Sequence, residues 1–494
     1  MRHERRLIFA LCFLAALRVF VFSAAFPFFN NVDEQAHVDL VIKYSHGYLP
    51  RSLDQFSAES ARYFAVYSSP DYFLKPAQFD GEKFPPPNWT LPPKECDRVL
   101  SEAVPVWQSR QNHESSEPPL YYALAGCWLN LGKILGVTDG CLLYWIRFLN
   151  IFIAAALVWL GFVAARLIFP DRHLPQIGVP LLLAVWPQSA LYSVQSDALS
   201  PFFFGIAFIG LIILLRSESP CVRLGLTVGL ALAATILTKT SNLPLLITAG
   251  AVLVFKLWPL KKSGRLRQAS PSLIALVCSA AIPIGAWIAW NYHSAGDFTG
   301  TAAKIQLLDW TRKPIADWWH HPLFTLHGMK EFSSPLLASF WRGEFIWHGE
   351  RLTSSTVDLF YWISSIVAVV VAAMGLWPRF ARVTNLQRES LGLALLSFAA
   401  LVGFLALLSI AFDFGDCPYP SRAHPFFTSG RLLNAAAIPF FLLYVCAIDL
   451  VTRWAKQKWL GPAALGAIAL FVAISQCVVN WPAFASQYNF FQMW

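Results

Sequence analysis

The chain has 494 residues, of which 56% are hydrophobic and only 14% are charged, and its mean hydropathy is +0.49. Soluble domains usually carry about 25% charged residues, so this composition excludes a string of ordinary soluble domains and is typical of a protein that crosses a membrane many times. The net charge is +9, but Lys and Arg concentrate in short loops between apolar runs, which indicates membrane orientation rather than nucleic-acid binding.

The apolar runs are long and lack the alternation of a membrane β-strand. Lipid offers no hydrogen bonds, so such runs must be helices that satisfy their own backbone groups. We therefore predict an all-α polytopic membrane protein, one membrane domain over 1–494, with about eleven transmembrane helices. The predicted spans are 7–28, 142–168, 176–195, 198–216, 222–238, 243–259, 271–291, 356–376, 390–412, 430–452 and 462–479.

Basic loops predict the orientation of these spans. The loops 256–268, 378–388 and 453–458 are rich in Lys and Arg and are expected to face the cytoplasm, as is the N-terminus MRHERR. The same rule places three polar segments outside the cell. These segments are the first external loop 29–117, a large loop 292–355 and a shorter loop 413–429.

Counting crossings then singles out the segment 118–136, which separates the first loop from the core helices 142–291. The helix 142–168 must run inward, because its basic end is cytoplasmic, so 118–136 is predicted to be re-entrant or interfacial. The alternative is that 118–136 crosses and that the basic end of 142–168 violates the charge rule. With eleven crossings, the C-terminal helices 356–479 lead to an external tail at 480–494.

The stretch NNVDEQAHVDL at 30–40 follows the first span and carries adjacent carboxylates, Asp33 and Glu34. One interpretation is structural: Asn31 caps a helix whose third residue is Glu34, as in a capping box. The other is chemical. Asp33 and His37 are four residues apart and share a helical face, so Asp33 could act as a general base. Asp33, Glu34 and His37 could also hold a divalent metal, although the sequence does not require one.

Three further charged residues are predicted to lie on the same external face. Asp197 opens a helix in SVQSDALS, as an N-cap or as a second carboxylate of the site. Lys239 in TKTSNLP is a snorkelling side chain or an anion ligand, and Arg431 in SGRLLNAAAIP is an interfacial anchor or a phosphate ligand.

Two other regions are predicted to lie on the external face. WNYHSAGDFTG at 290–300 offers Asn291, His293 and Asp297 as substrate contacts, or else forms an ordinary polar turn. The loop 292–355 that follows is rich in Trp, His and Arg, so we expect short interfacial helices there.

Five short motifs occur in an order that resembles the GT-C superfamily of membrane glycosyltransferases. The closest likeness is to an uncharacterised bacterial branch of polytopic membrane proteins within it. The motifs are VDEQAH at 32–37, EPPLYYAL at 117–124, SDAL at 196–199, TKTSNLPLL at 238–246 and SGRLLNAAAIP at 429–439. This chain has Gly-Arg-Leu at 430–432 where relatives often carry Gly-Arg-Tyr.

The resemblance implies a GT-C-like helical bundle and a sugar donor linked to a polyprenyl phosphate. An acceptor hydroxyl would attack the anomeric carbon, with the lipid phosphate as leaving group. Asp33 matches the general base, Glu34 the neighbour that orients acceptor or metal, and Asp197 the second acidic position. Lys239 and Arg431 are candidates for the phosphate by position and charge. The metal requirement varies in the superfamily and stays open here.

The resulting prediction is a bacterial inner-membrane glycosyltransferase acting at the periplasmic face on an envelope glycan, lipid or protein acceptor. Its N-terminus would be cytoplasmic and its C-terminus periplasmic. Two alternatives stay open: a transporter or flippase for a lipid-linked sugar, and a non-catalytic subunit of an envelope assembly complex. Neither alternative needs Asp33 or Asp197 as a base.

Overall fold

Helices make up most of the chain, as the long apolar runs predict. The structure, a computed structural model, describes residues 2–379, 383–417 and 419–493. Within these ranges the α-helices are α1 (Arg2–Ala25), α2 (Glu34–Ser45), α3 (Ala58–Tyr67), α4 (Pro93–Gln108), α5 (Leu120–Ile134), α6 (Asp139–Ile168), α7 (His173–Val185), α8 (Ser200–Arg216), α9 (Val222–Thr238), α10 (Leu246–Lys262), α11 (Leu266–Ala295), α12 (Ala302–Leu307), α13 (Leu326–Arg342), α14 (Ser355–Met374), α15 (Asn385–Ala411), α16 (Ala437–Trp454), α17 (Leu460–Val479) and α18 (Trp481–Ala485).

The helices confirm an all-α polytopic membrane protein. Among the described residues, nine helical segments are long and apolar enough to cross a membrane. Two shorter apolar helices, α7 and α9, account for the two other predicted spans. Each of the eleven predicted spans therefore overlaps an apolar helix of the structure.

The C-terminal end of one predicted span, 176–195, is wrong. The helix α7 stops at Val185, and a 3₁₀ turn over Ser189–Tyr192 follows. Pro187 lacks the backbone N–H needed to continue the helix and disfavours helical geometry at Trp186 before it.

The segment predicted to be re-entrant or interfacial contains α5, which has 15 residues. At 1.5 Å per residue this helix is about 22 Å long, shorter than a hydrocarbon core of about 30 Å. Its re-entrant or interfacial placement stays a prediction.

The helix α16 is at the centre of the bundle. It belongs to the segment Gly430–Trp454, of which 83% of the most apolar window is buried, and it packs against α7, α14 and α15.

The helices α9 and α11 approach each other closely. Gly225 and Gly229 of α9 face α11, where a Cβ would collide with backbone carbonyls of that helix. Small residues four apart are a common device for close helix contact in membranes.

Short elements tie the loops that are predicted to be external to one another at the end of the bundle. The strands β1 (Thr311–Arg312) and β4 (Phe412–Asp413) pair antiparallel, as do β2 (Ile346–Trp347) and β3 (Glu350–Arg351). The loop 292–355 also contains α12 and α13, in line with the short helices expected there. A single bridge between Asn31 and Phe345 joins the first loop to the segment after α13.

Candidate functional site

Two ion pairs form where four turns meet at one end of the bundle. Arg431, in a 3₁₀ turn before α16, donates to the carboxylate of Asp33, which precedes α2. Lys239, at the end of α9, lies with its Nζ 2.7 Å from Oδ2 of Asp197. The turns Ser196–Ala198 and Gly430–Ala436 pack against each other, so the two ion pairs belong to one cluster.

Asp33 has an unusual backbone that turns its carboxylate into the cluster. Its φ is 66° and its ψ is 2°, a left-handed conformation that is uncommon for a residue other than glycine. Asp33 stands at the N-cap of α2, yet its side chain makes no capping hydrogen bond. The carboxylate instead accepts from Arg431 and from Nε2 of His113 at 3.0 Å. Strained conformations of this kind cluster at functional sites.

The capping role expected of Asn31 is wrong. Asp33, not Asn31, occupies the N-cap, and Glu34 is the first residue of α2 rather than its third. The Asn31 amide donates to the Ser189 carbonyl at 3.0 Å and to Ser193 Oγ at 2.6 Å. Asn31 therefore fastens the first loop to the turn before Asp197.

The charges around Asp33 decide its ionisation. Burial opposes the charged form, but the positive charge of Arg431 and the hydrogen bond from His113 outweigh it and hold the pKa of Asp33 well below its usual value. Asp33 is therefore ionised while its pairing with Arg431 lasts.

Glu34 makes a different set of contacts. Its carboxylate is buried and accepts from Nε and Nη2 of Arg147, both at 2.7 Å. Backbone N–H groups of Phe29 and Val194 donate to it at 3.0 Å. Four donors saturate this carboxylate, so it joins the end of α1 to α6 and to the turn before Asp197.

Glu344 extends the cluster beyond the residues predicted from sequence. Its Oε2 lies 3.2 Å from Nε of Arg431 and accepts from Ser429 Oγ at 2.6 Å. Its Oε1 lies 3.0 Å from Nη2 of Arg351. The Arg431 guanidinium is thus held between two carboxylates.

The segment after Asn112 adds His113 and Glu114. His113 Nε2 lies 3.5 Å from Glu114 Oε1, which also contacts Lys304 Nζ at 2.7 Å. Burial lowers the pKa of His113, but its contact with Asp33 outweighs burial and raises it. For Glu114, burial is outweighed by the charges of Lys304 and His113, which lower its pKa. The Oε2 atom of Glu114 is buried without a hydrogen-bond partner among the described residues.

Asp33, His113 and Glu114 also form a group that could hold a metal ion. One ligand atom from each lies within 4.8 Å of the others. Two carboxylates and an imidazole suit a divalent cation. However, Arg431 and Lys304 already neutralise the two carboxylates, so the group does not depend on a metal for charge balance.

Glu117 differs from Asp33 and Glu114 because its pKa is raised, whereas the pKa values of those two residues are lowered. Burial and the negative charge of Glu114 raise its pKa to about 7, against the opposing effects of Lys239 and Lys304. Its Oε2 atom is buried and has no hydrogen-bond partner in the described part of the chain. Glu117 can therefore gain or lose a proton near neutral pH.

The remaining predicted contacts fall into two groups. His37 is fully buried, its Nδ1 lies 2.7 Å from the Tyr122 hydroxyl, and burial lowers its pKa to about 3, so it is neutral. Asn291 is buried beneath Gly300. Asp297 accepts from Thr301 N at 2.8 Å within its own turn, and His293 is exposed. Across the described residues, neither His293 nor Asp297 has an ion pair to the cluster.

Sequence reasoning did not single out several residues of the cluster. Those residues are His113, Glu114, Glu117, Lys304, Glu344 and Arg351. Glu117 stands at the start of the EPPLYYAL motif, and its position before two prolines was a usable signal. The others lie in polar loops, where the sequence contains no sign that they meet Asp33.

One family model matches most of this chain. The family described as "Predicted membrane protein (DUF2142)" matches residues 14–418. A search of curated proteins finds no significant match.

Several solved structures are similar to this chain along most of its length. ArnT from Cupriavidus metallidurans bound to undecaprenyl phosphate is 12% identical, with a TM-score of 0.47, over 97% of this chain and 74% of that chain. The apo oligosaccharyltransferase from Archaeoglobus fulgidus is 12% identical, with a TM-score of 0.44, over 97% of this chain and 56% of that chain. AglB from Archaeoglobus fulgidus, in complex with an inhibitory peptide and a dolichol-phosphate, is 12% identical, with a TM-score of 0.42, over 96% of this chain and 56% of that chain. This chain thus spans about half the length of the archaeal proteins, and its function is inferred below from its own residues.

Proposed function

Because this chain belongs to the DUF2142 family of predicted membrane proteins, we propose a reaction at a membrane surface: transfer of a sugar from a polyprenyl-phosphate donor to an acceptor hydroxyl. The acceptor would be an envelope glycan, lipid or protein. The reaction would take place at the periplasmic face of a bacterial inner membrane, where the first loop and the large loop are predicted to lie.

The observation that supports this proposal is the meeting of two carboxylate–cation pairs at the end of membrane helices. Asp33 pairs with Arg431, and Asp197 pairs with Lys239. A lipid donor keeps its phosphate at headgroup height, so residues that act on it must lie at a helix end. Ionisable groups at such depth are unfavourable unless paired and usually mark a functional site.

The pairs suggest how a donor phosphate would enter. Arg431 has a fork of donors suited to phosphate, and Lys239 supplies a second positive charge. Both cations are already occupied by carboxylates. A phosphate bound to Arg431 would therefore replace Asp33 as its partner, and the pKa of Asp33 would rise toward that of a useful base. Donor binding would in this way prepare the carboxylate for catalysis.

The chemical step then needs one base and two cations. Asp33 takes the proton from the acceptor hydroxyl while the oxygen of that hydroxyl forms a bond to the anomeric carbon of the sugar. The bond from that carbon to the phosphate oxygen breaks, and the electron pair leaves with the polyprenyl phosphate. Arg431 and Lys239 stabilise the negative charge that develops on the phosphate. Asp197 holds Lys239 in place.

The other residues have supporting roles in this proposal. Glu34 positions the first loop, because its two oxygens are fully engaged with Arg147 and backbone amides. His113 orients Asp33 through the contact at 3.0 Å. His37 is part of the buried wall of the site, where it contacts Tyr122.

The test is a transfer assay with purified protein in lipid nanodiscs. Polyprenyl-phosphate sugars labelled in the sugar would be offered with candidate acceptors, and release of polyprenyl phosphate would be measured. The proposal predicts turnover by the wild type and a loss of about 100-fold or more with Asp33→Asn. Exposed Asp317→Asn is a matched control and is expected to keep full activity.

Two other outcomes would overturn the proposal. A flippase would move lipid-linked sugar across the membrane of a liposome without releasing polyprenyl phosphate, and Asp33→Asn would leave that movement intact. A non-catalytic subunit would neither turn over nor transport the donor, and the Asp33→Asn variant would still support its assembly complex.

A further inference from the structure

A groove between α1 and α6 lies at the opposite end of α1 from the candidate site. It encloses about 520 Å³. Its lining residues are Arg5, Phe9, Trp159, Phe162, Val163, Arg166 and Leu167. We call it the arginine groove. Because α1 has 24 residues and rises 1.5 Å per residue, its two ends are about 36 Å apart. The arginine groove therefore opens at the other surface of the membrane.

The mouth of the arginine groove carries two arginines. Arg5 lies in the second turn of α1, and Arg166 lies two residues before the end of α6. None of the described residues that line the groove is a carboxylate. Glu4, the nearest acid in sequence, lies with its Oε1 3.2 Å from Nδ1 of His173, outside the groove. The mouth therefore suits an anion better than a zwitterion.

Deeper in the membrane the walls become aromatic. The rings of Phe9 and Trp159 stack at 5.4 Å, and Trp159 contacts Phe162 at 5.8 Å between ring centroids. Cζ of Arg166 lies 5.8 Å from the ring of Phe162, so charge and aromatic wall adjoin. An aqueous anion would not use such a wall, whereas an acyl chain would.

The apolar surface continues along the seam between α1 and α6. Phe13, Leu17 and Phe152 are exposed by 69%, 47% and 60% and face the lipid side of the two helices. Further along, Phe20 and Phe148 contact each other at 5.0 Å. The seam thus offers a continuous apolar track that begins at the two arginines.

We propose that the arginine groove binds a phospholipid with an anionic headgroup. Its phosphate accepts hydrogen bonds from Arg5 and Arg166, and one acyl chain lies against Phe9 and Trp159. Arginine suits this role because its planar fork matches a phosphate and is weakly hydrated. The site is independent of the sugar donor, because it lies at the other end of α1 and shares no residue with the cluster around Asp33.

The test is lipid binding by the full chain, measured by native mass spectrometry in detergent. Phosphatidylglycerol and phosphatidylcholine with identical acyl chains are titrated separately. Two arginines at a membrane surface predict a preference of about tenfold or more for phosphatidylglycerol. The double variant Arg5→Gln/Arg166→Gln is expected to lose that preference while still binding both lipids weakly.

Controls separate a specific groove from general surface charge. Arg6→Gln removes a neighbouring exposed charge that does not line the groove and is expected to keep the preference. Trp159→Leu is expected to weaken the binding of both lipids to the same extent, because it changes only the aromatic wall and leaves the two arginines in place. If the double glutamine variant does not fold, Arg5→Lys/Arg166→Lys replaces it and should weaken the preference in part. Equal binding of both lipids by the wild type, or an unchanged preference in the double glutamine variant, would overturn the proposal.

Discussion

Arg431 donates to the carboxylate of Asp33 although 398 positions separate them in the chain. A second nitrogen of the same guanidinium donates to the carbonyl of Val32 at 3.0 Å. One arginine thus joins the turn before α16 to the turn before α2. Because Arg431 also contacts Glu344, a bound phosphate must compete with two carboxylates for it.

Replacing Arg431 should weaken donor binding. Lysine keeps the charge but lacks the fork, so Arg431→Lys is expected to raise the KM for the donor by about tenfold or more, and Arg431→Gln should raise it further. Steady-state kinetics with varied donor would measure this. Arg422→Lys is the control, since Arg422 is exposed and pairs only with Asp413 among the described residues. An unchanged donor KM in Arg431→Gln would contradict the phosphate assignment.

The pair of Lys239 and Asp197 should stabilise the fold as well. Both side chains are almost fully buried, so Lys239→Met leaves an unpaired buried carboxylate and is expected to destabilise the protein by about 3–5 kcal/mol. Adding Asp197→Asn to that variant should recover part of the loss. Thermal unfolding in detergent measures both effects.

A surface pair provides the matched comparison. Lys75 and Glu350 lie 2.9 Å apart but are exposed, so Lys75→Met should change the melting temperature little. If Lys239→Met melts at the wild-type temperature, the pair is not the buried contact described here.

Much of the fold followed from the sequence because lipid imposes strong rules on long apolar runs. All eleven predicted spans overlap apolar helices, and the main error came from Pro187, which ends α7 early. The site was less predictable. Asp33, Asp197, Lys239 and Arg431 each stand at a helix end or in the short turn next to one, and such positions at one surface can meet. Glu344 and His113 lie inside loops, whose paths depend on tertiary contacts such as the bridge of Asn31 to Phe345.

Glu117 should make stability depend on pH near neutrality. Its pKa is about 7 in the folded protein, raised by burial above the ordinary value of 4.5. Between these values the folded state keeps a proton that the unfolded state has lost, so the stability contribution of Glu117 falls as pH rises through this window. Above about pH 7 Glu117 is ionised in both the folded and the unfolded state, so its contribution to stability no longer changes with pH.

The variant Glu117→Gln removes this titration. Its stability relative to wild type should therefore increase from pH 4.5 to pH 7 and then level off. Melting temperatures of the two proteins across that range measure the difference. Glu102→Gln, at an exposed position, should show no such trend. A constant difference at every pH would mean that Glu117 does not titrate there.

Glu34 should behave as a structural residue. Glu34→Gln removes the charge that Arg147 contacts at 2.7 Å while keeping the size of the side chain. Leaving Arg147 buried without its partner is expected to destabilise the protein by about 3–5 kcal/mol. The yield of folded protein and its melting temperature test this. A stable Glu34→Gln variant that has lost all transfer activity would instead indicate a direct catalytic role.

The exchange of partners at Arg431 is the central claim, and one variant tests it most directly. Asp33→Asn removes the proton acceptor but also frees Arg431 from one of its two carboxylates, leaving Glu344. Binding of polyprenyl phosphate and turnover of the sugar donor would be measured on the same purified preparation. We expect Asp33→Asn to bind polyprenyl phosphate at least as tightly as the wild type while turnover falls by about 100-fold or more. Full turnover by Asp33→Asn, or loss of lipid-phosphate binding in a folded Asp33→Asn protein, would contradict the claim.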